Sequence, residues 1–277
     1  MLVGRERELG SITSELASPD RVVTVFVHGP GGIGKTALLR EATARAEDAY
    51  EFSVLWLDGR DIAPVPDQLE DALGAWRLER ERLLIALDSF EHVEALGGYL
   101  RRALIPSLPT GAALLIASRR APGPEWEPRG VGAGFVELGV EPLDPEGSAE
   151  VLRRNGAFGE GAERARSWAR GNPLALELVA ASARRDPDGR TPSGSDFGER
   201  LIARLVEERL EGPHLATLAT AAIARVTTPD LLAACLVGAD PATEWEWLCG
   251  RSFMERRGVG VAPHELVREG IRAGIRR

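Results

Sequence analysis

The chain holds thirty-four basic residues and a single lysine, Lys35. It sits in Gly29-Pro30-Gly31-Gly32-Ile33-Gly34-Lys35-Thr36. Elsewhere the sequence uses arginine, so only here does it keep a compact ammonium on a flexible stem in place of a planar guanidinium fork. The string fits the pattern G-x-x-x-x-G-K-[ST]. In that pattern glycine amides wrap a triphosphate, the lysine reaches the outer phosphates and the hydroxyl meets magnesium. Ala37 continues the same turn. The chemistry implied is capture of a nucleotide's phosphate tail.

Three further groups could complete such a site. Leu83-Leu84-Ile85-Ala86-Leu87-Asp88 is an apolar run ending in a carboxylate, which beside a phosphate loop would hold magnesium directly or through water. Asp88 could instead simply cap the next helix. The adjoining position, where a second acid would polarise the attacking water, is Ser89; Glu91 is the nearest acid that could reach round, so slow or absent hydrolysis is compatible with the sequence. Ser118-Arg119-Arg120 ends another apolar run, and a guanidinium there could sense a γ-phosphate, the alternative being a solvated pair. Gly171-Asn172-Pro173-Leu174 reads as a helix start, with Asn172 as N-cap and Pro173 in the first turn. The four histidines, His28, His92, His214 and His264, show no metal-binding spacing.

These residues need elements to place them. Arg21 to His28 is β-branched and apolar and reads as a strand leading into the loop; Thr36 to Arg45 is rich in helix formers. A strand, a loop and a helix N-terminus in that order make an anion site, because unpaired amides and the helix dipole both favour negative charge. Further strands are expected at 51–57, 82–88, 112–118 and 135–138, with helices over 68–76 and 91–104. Continuous apolar strands alternating with helices imply an α/β fold, a parallel sheet covered on both faces. Residues 121–134 are rich in proline and glycine and are expected as a surface loop.

From about residue 141 the pattern turns to helices alone, at 146–154, 161–169 and 173–184. Asp186 to Ser195 lacks apolar residues and reads as a linker. Short helical stretches come next, then a hairpin over 253–261 around Gly258, then a helix over 265–276, the outline of a winged helix. The domains expected are an α/β nucleotide-binding domain over 1–140, a helical lid over 141–185, a linker over 186–195 and a winged helix over 196–277.

Composition narrows the classes. A net charge of −8 and an isoelectric point near 5.3 argue against coating nucleic acid or anionic membrane through bulk charge. Cys235 and Cys249 form neither a zinc pattern nor a disulfide framework and are expected as small core residues. No signal sequence and no long apolar run is seen, so the cytoplasm is the expected location.

Taken in order, the motifs resemble a STAND NTPase, a signal-transducing branch of the AAA+ P-loop group with NB-ARC-like modules. The branch includes apoptotic protease-activating factors, plant disease-resistance proteins and actinobacterial transcriptional regulators. The resemblance runs through Leu2-Val3-Gly4-Arg5-Glu6, the Gly29–Thr36 loop, Leu87-Asp88, Ser118-Arg119, Gly171-Asn172-Pro173-Leu174 and Pro263-His264-Glu265. It implies ATP or ADP with Mg2+ as cofactors, the metal held by Thr36 and Asp88. It also implies that Val3, Gly4 and Arg5 line the adenine pocket, that Pro173 packs on the base from the lid, and that His264 reaches the ADP β-phosphate. Asn172 and the Pro-His-Glu triplet differ from the commoner leucine and Met-His-Asp. The function implied is a switch, closed with ADP and opened by ATP, with weak ATPase activity and self-association in the ATP state. No repeat array, death-fold or obvious effector domain is seen in the sequence, so sensor and effector are expected on partners or on a longer parent chain.

Two other readings use the same motifs. A DNA-binding AAA+ initiator would also join this core to a winged helix, but residues 196–277 carry eleven arginines against twelve acids, so nucleic acid is not expected as a partner of this module. A remodelling ATPase would show steady turnover dependent on Asp88.

Overall fold

The computed structural model describes residues 2–18, 20–74, 82–126, 133–185, 213–251, 254–264, 267–268 and 271–272. The chain divides into two compact units, Met1–Gly147 and Ser148–Arg277.

The first unit is built on five parallel strands in the order β2-β3-β4-β1-β5. They are β1 (Val22–His28), β2 (Ser53–Asp58), β3 (Leu83–Asp88), β4 (Ala113–Ser118) and β5 (Ala133–Gly139). Every residue of β3 and β4 is buried, which is why both read as unbroken apolar runs rather than as alternation. Edge strand β2 buries Leu55 and Leu57 and leaves its other positions half-covered. Helix α1 (Glu6–Leu16), which the motif reading passed over, turns Leu9, Ile12 and Leu16 onto one sheet face. Their spacing of three and four is that of a helix stripe. On the same face α2 (Lys35–Tyr50) buries Leu38, Leu39, Ala42 and Ala46. The other face is covered by α3 (Pro66–Gly74) and the segment from Phe90 to Leu108.

That segment is not the single helix expected over 91–104. It runs as two 3₁₀ turns (Phe90–His92 and Glu94–Leu96), a helical turn at Gly97–Tyr99, a π-helical stretch at Leu100–Leu104 and a last turn at Ile105–Ser107. Gly97 and Gly98 weaken regular helix, while burial of Phe90, Val93, Leu96, Leu100 and Leu104 dictates the path. The 121–134 stretch also differs from a plain surface loop. Pro124–Trp126 forms a 3₁₀ turn that buries Trp126, and β5 has begun by Ala133. Trp126 meets Phe26 and Phe90 edge to face at centroid distances of 5.2 and 5.7 Å. Arg101 is stretched over the Trp126 ring and donates to the Glu125 carbonyl, which ties the turn down.

The second unit opens within α4 (Pro145–Arg154) and continues through α5 (Gly159–Ala169), α6 (Pro173–Arg185), α7 (Pro213–Ile223), α8 (Pro229–Cys235) and α9 (Pro241–Cys249). An antiparallel hairpin comes after them, β6 (Met254–Arg257) and β7 (Gly260–Pro263). Leu174 and Leu178 of α6 share one apolar cluster with Leu218, Leu232, Leu248, Val261, Val267 and Ile271. Cys235 and Cys249 are exposed, not core: each ends its helix, one turn beyond the buried Leu232 in α8 and beside the buried Leu248 in α9. The expected linker over 186–195 and most of the expected helix over 265–276 lie outside the described residues. No described helix is long and apolar enough to cross a membrane.

Candidate functional site

Parallel pairing brings the carboxyl ends of β3, β4 and β1 side by side along one edge of the sheet. Each of the motifs singled out in the first unit, apart from the N-terminal Val3-Gly4-Arg5, leaves one of those ends. The loop Gly29–Gly34 comes after β1, Asp88 ends β3, and Arg119 comes after β4. The carboxyl ends of adjacent parallel strands are where open α/β sheets bind ligands.

The loop is shaped by its glycines. A side chain at Gly29 would meet the Val140 carbonyl at 2.8 Å, and Gly34, with φ +101°, starts α2 from a left-handed conformation open to glycine at little cost. Gly34 offers no side-chain cap, and the first turn of α2 carries no acid, so its leading amides face outward with the positive end of the dipole. Pro30 and Ala37 are exposed, whereas Ile33 is buried against the core.

Lys35 lies folded over its own loop, donating to the carbonyls of Gly29 at 2.7 Å and Pro30 at 3.0 Å. Burial lowers the pKa of its ammonium from the ordinary lysine value, while Glu91 and then Asp88 pull it back up and Arg119 lowers it further. All three charged groups therefore act on one ammonium. Thr36 donates its hydroxyl to Asp88 Oδ2 at 2.8 Å, and Asp88 Oδ1 accepts the Ser89 amide at 2.9 Å. Burial pushes the Asp88 carboxyl above its usual range, opposed mainly by the Thr36 hydroxyl. A buried carboxylate held against a hydroxyl gains from a nearby cation, and the pair fits a magnesium ion that keeps most of its water. Among the described residues no cluster of three or more His, Cys, Asp or Glu is placed to hold a metal by itself. An ion here would need the nucleotide's oxygens as well.

Past Asp88 the chain enters a left-handed turn at Ser89 (φ +56°), sends Phe90 into the core and returns Glu91 toward β4. Glu91 Oε2 accepts the Arg119 amide at 3.2 Å, and its Oε1 lies 3.2 Å from Arg119 Nε. The arginine expected to sense a γ-phosphate and the acid expected nearest to the attacking water are thus bonded to each other.

The N-terminal motif takes a place of its own. Gly4 lies against Leu143, Val3 is half-buried, and Arg5 is buried with its guanidinium donating to the Ile33 carbonyl at 3.0 Å and to Glu8 at 2.9 Å. Arg5 therefore holds the phosphate loop from beneath. Asp58 and Arg60 escaped the motif reading. Asp58 ends β2 in register with Asp88, is held by Arg60 through both oxygens, and the charges of both act on Asp88. The signal was present: both strands end in Leu-Asp.

Pro173 and His264 belong to the second unit. Asn172 caps α6 as expected, accepting the Ala175 amide at 3.1 Å, with Pro173 as its first residue. His264 comes directly after β7, half-buried, and its carbonyl accepts the Arg268 amide at 2.9 Å.

The AAA ATPase domain family matches residues 1–239. The chain belongs to that family. An AAA ATPase domain binds ATP or ADP with Mg2+, which agrees with the loop, hydroxyl and carboxylate described above. Among solved structures, the Aeropyrum pernix Orc1 protein in complex with DNA is similar over 99% of this chain and 93% of its own, at 17% identity and a TM-score of 0.47. A mutant of Thermotoga maritima RuvB is similar over 98% of this chain and 96% of its own, at 14% identity and a TM-score of 0.50. The RuvB likeness bears on the fold of this AAA ATPase domain alone. A search of curated proteins finds no match.

Proposed function

We propose that this AAA ATPase domain is a nucleotide-dependent signalling switch of the STAND type, holding ADP in a closed form and opening when ATP replaces it. The observation that supports the nucleotide half is the Thr36–Asp88 bond of 2.8 Å, a hydroxyl and a carboxylate suited to magnesium at the carboxyl end of β3. What favours a switch over a fast ATPase is the place of the acids. Ser89 fills the second-acid position, and Glu91 is engaged by Arg119.

In this reading Lys35 and the Gly29–Thr36 amides grip the phosphates, Thr36 and Asp88 hold the metal, and Arg119 distinguishes ATP from ADP. Val3 and Gly4 border the base, with Pro173 packing on it from a helical lid. His264, at the end of the hairpin of a winged helix, binds the β-phosphate. A ligand moves such an equilibrium only through unequal contacts in the two states, and Arg119 and His264 would supply them. Self-association would follow in the ATP state, with sensor and effector on partners or other domains.

Denaturing the purified protein and separating the released nucleotide by chromatography tests this directly. Bound ADP is expected, and His264→Ala should lower the ADP retained and raise the self-associated fraction seen by light scattering. Unchanged nucleotide content and scattering would remove His264 from the switch.

A second reading, a DNA-binding AAA ATPase, draws support from the hairpin. Arg256 and Arg257 lie on β6, and Val259 in its turn is 89% exposed, the outline of a wing that could enter a groove. Duplex binding that weakens steeply with salt would favour it.

A further inference from the structure

Glu91 follows β3 and Arg119 follows β4, and the two meet after the chain turns back through a left-handed Ser89. The contact is built twice over. One carboxylate oxygen takes the Arg119 backbone amide and the other faces its guanidinium nitrogen, each at 3.2 Å. The amide bond fixes the carboxylate whatever the arginine side chain does. The guanidinium is the part that can move, since its side chain is 30% exposed against 17% for Glu91. Arg119 follows Ser118, which pairs with His28 and accepts the Gly29 amide at 3.2 Å, so the pair stands beside the start of the phosphate loop.

We infer that Glu91 is a built-in competitor for the γ-phosphate, occupying the Arg119 guanidinium until an ATP terminal phosphate takes it away. A phosphate and a carboxylate offer the same fork of oxygens to a guanidinium, so one side chain serves both in turn. ADP, lacking the third phosphate, leaves the pair intact. ATP must break it, so part of its extra contact energy is spent in releasing Glu91 and the affinities for the two nucleotides are drawn together. The released Glu91 carboxylate stays held by the Arg119 amide. Regulation of the site is thus written into it: the acid is unmasked only when the third phosphate is present.

This inference rests on the nucleotide reading above, and calorimetry separates the two. ADP and a non-hydrolysable imido analogue of ATP are titrated, with Mg2+, into the unaltered protein and into Glu91→Gln, Arg119→Ala and the double variant. Glu91→Gln should raise the ratio of analogue to ADP affinity roughly threefold to fivefold, the scale of a partly screened ion pair. Arg119→Ala should lower the ratio, and adding Glu91→Gln to it should restore nothing, because the competitor and its target act as one pair. Arg119→Lys, which keeps charge but loses the fork, serves where the alanine variant does not fold. A ratio untouched by Glu91→Gln, or a gain that persists without Arg119, overturns the competition while ADP binding still upholds the nucleotide site. Failure of the unaltered protein to bind either ligand overturns both.

Discussion

The bond from the Arg5 guanidinium to the Ile33 carbonyl makes a buried charge serve as the floor of the phosphate loop. Its position in Val3-Gly4-Arg5 suggested a wall of the adenine pocket, and the two roles differ in what they recognise. A base contact reads adenine; a loop support acts on any ligand with the same phosphates. Arg5→Ala should therefore weaken ADP and inorganic pyrophosphate by the same factor, roughly tenfold for a charge-assisted bond, in parallel titrations. A loss for ADP with pyrophosphate unaffected would return Arg5 to the base.

At the scale of elements, the loop and Asp88 are held by packing remote from any ligand. Phe26 of β1, Phe90 just past Asp88 and Trp126 form three edge-to-face contacts at 5.2 to 5.7 Å. Such pairs add about 0.5–1.5 kcal/mol each to the area they bury. Trp126→Ala should cost about 3–5 kcal/mol in chemical denaturation and loosen the turn after Asp88. A loss under about 1 kcal/mol would mean the ring packs less tightly than these distances imply.

In the second unit, burial on α6 pushes the Glu177 carboxyl above its usual range. With its folded pKa above the unfolded value, Glu177 favours folding below the unfolded pKa, and that contribution disappears as pH rises through the folded one. At neutral pH its charge is a net cost. Glu177→Gln should then raise the urea midpoint at pH 7 and leave it unchanged near pH 3. A gain of equal size at both values would show that charge is not the cause.

Over the whole molecule, what could be read in advance tracks a physical divide. β1, β3 and β4 were legible because strands buried on both faces must be continuously apolar, and the lysine loop because phosphate binding demands glycine at fixed offsets. The 90–108 segment was not, since its path answers to contacts with Phe26 and Trp126 that lie far off in sequence. Nor was the Arg5 clamp, because a buried guanidinium leaves no local pattern. The Glu91–Arg119 contact hung on one residue, Ser89, adopting a left-handed turn that serine seldom takes. The exposed cysteines show the opposite case: both end their helices, and that position rather than the residue's small apolar character decides their exposure.

Everything rests on Lys35 and Asp88 forming one phosphate and magnesium site. Calorimetric titration of nucleotide-stripped protein with ADP and Mg2+ measures it. Saturable one-to-one binding is expected, weakened at least roughly tenfold by Lys35→Ala through loss of charge-assisted bonds and made insensitive to Mg2+ by Asp88→Ala. Absence of binding in the unaltered protein, or affinity that survives Lys35→Ala unchanged, would contradict it.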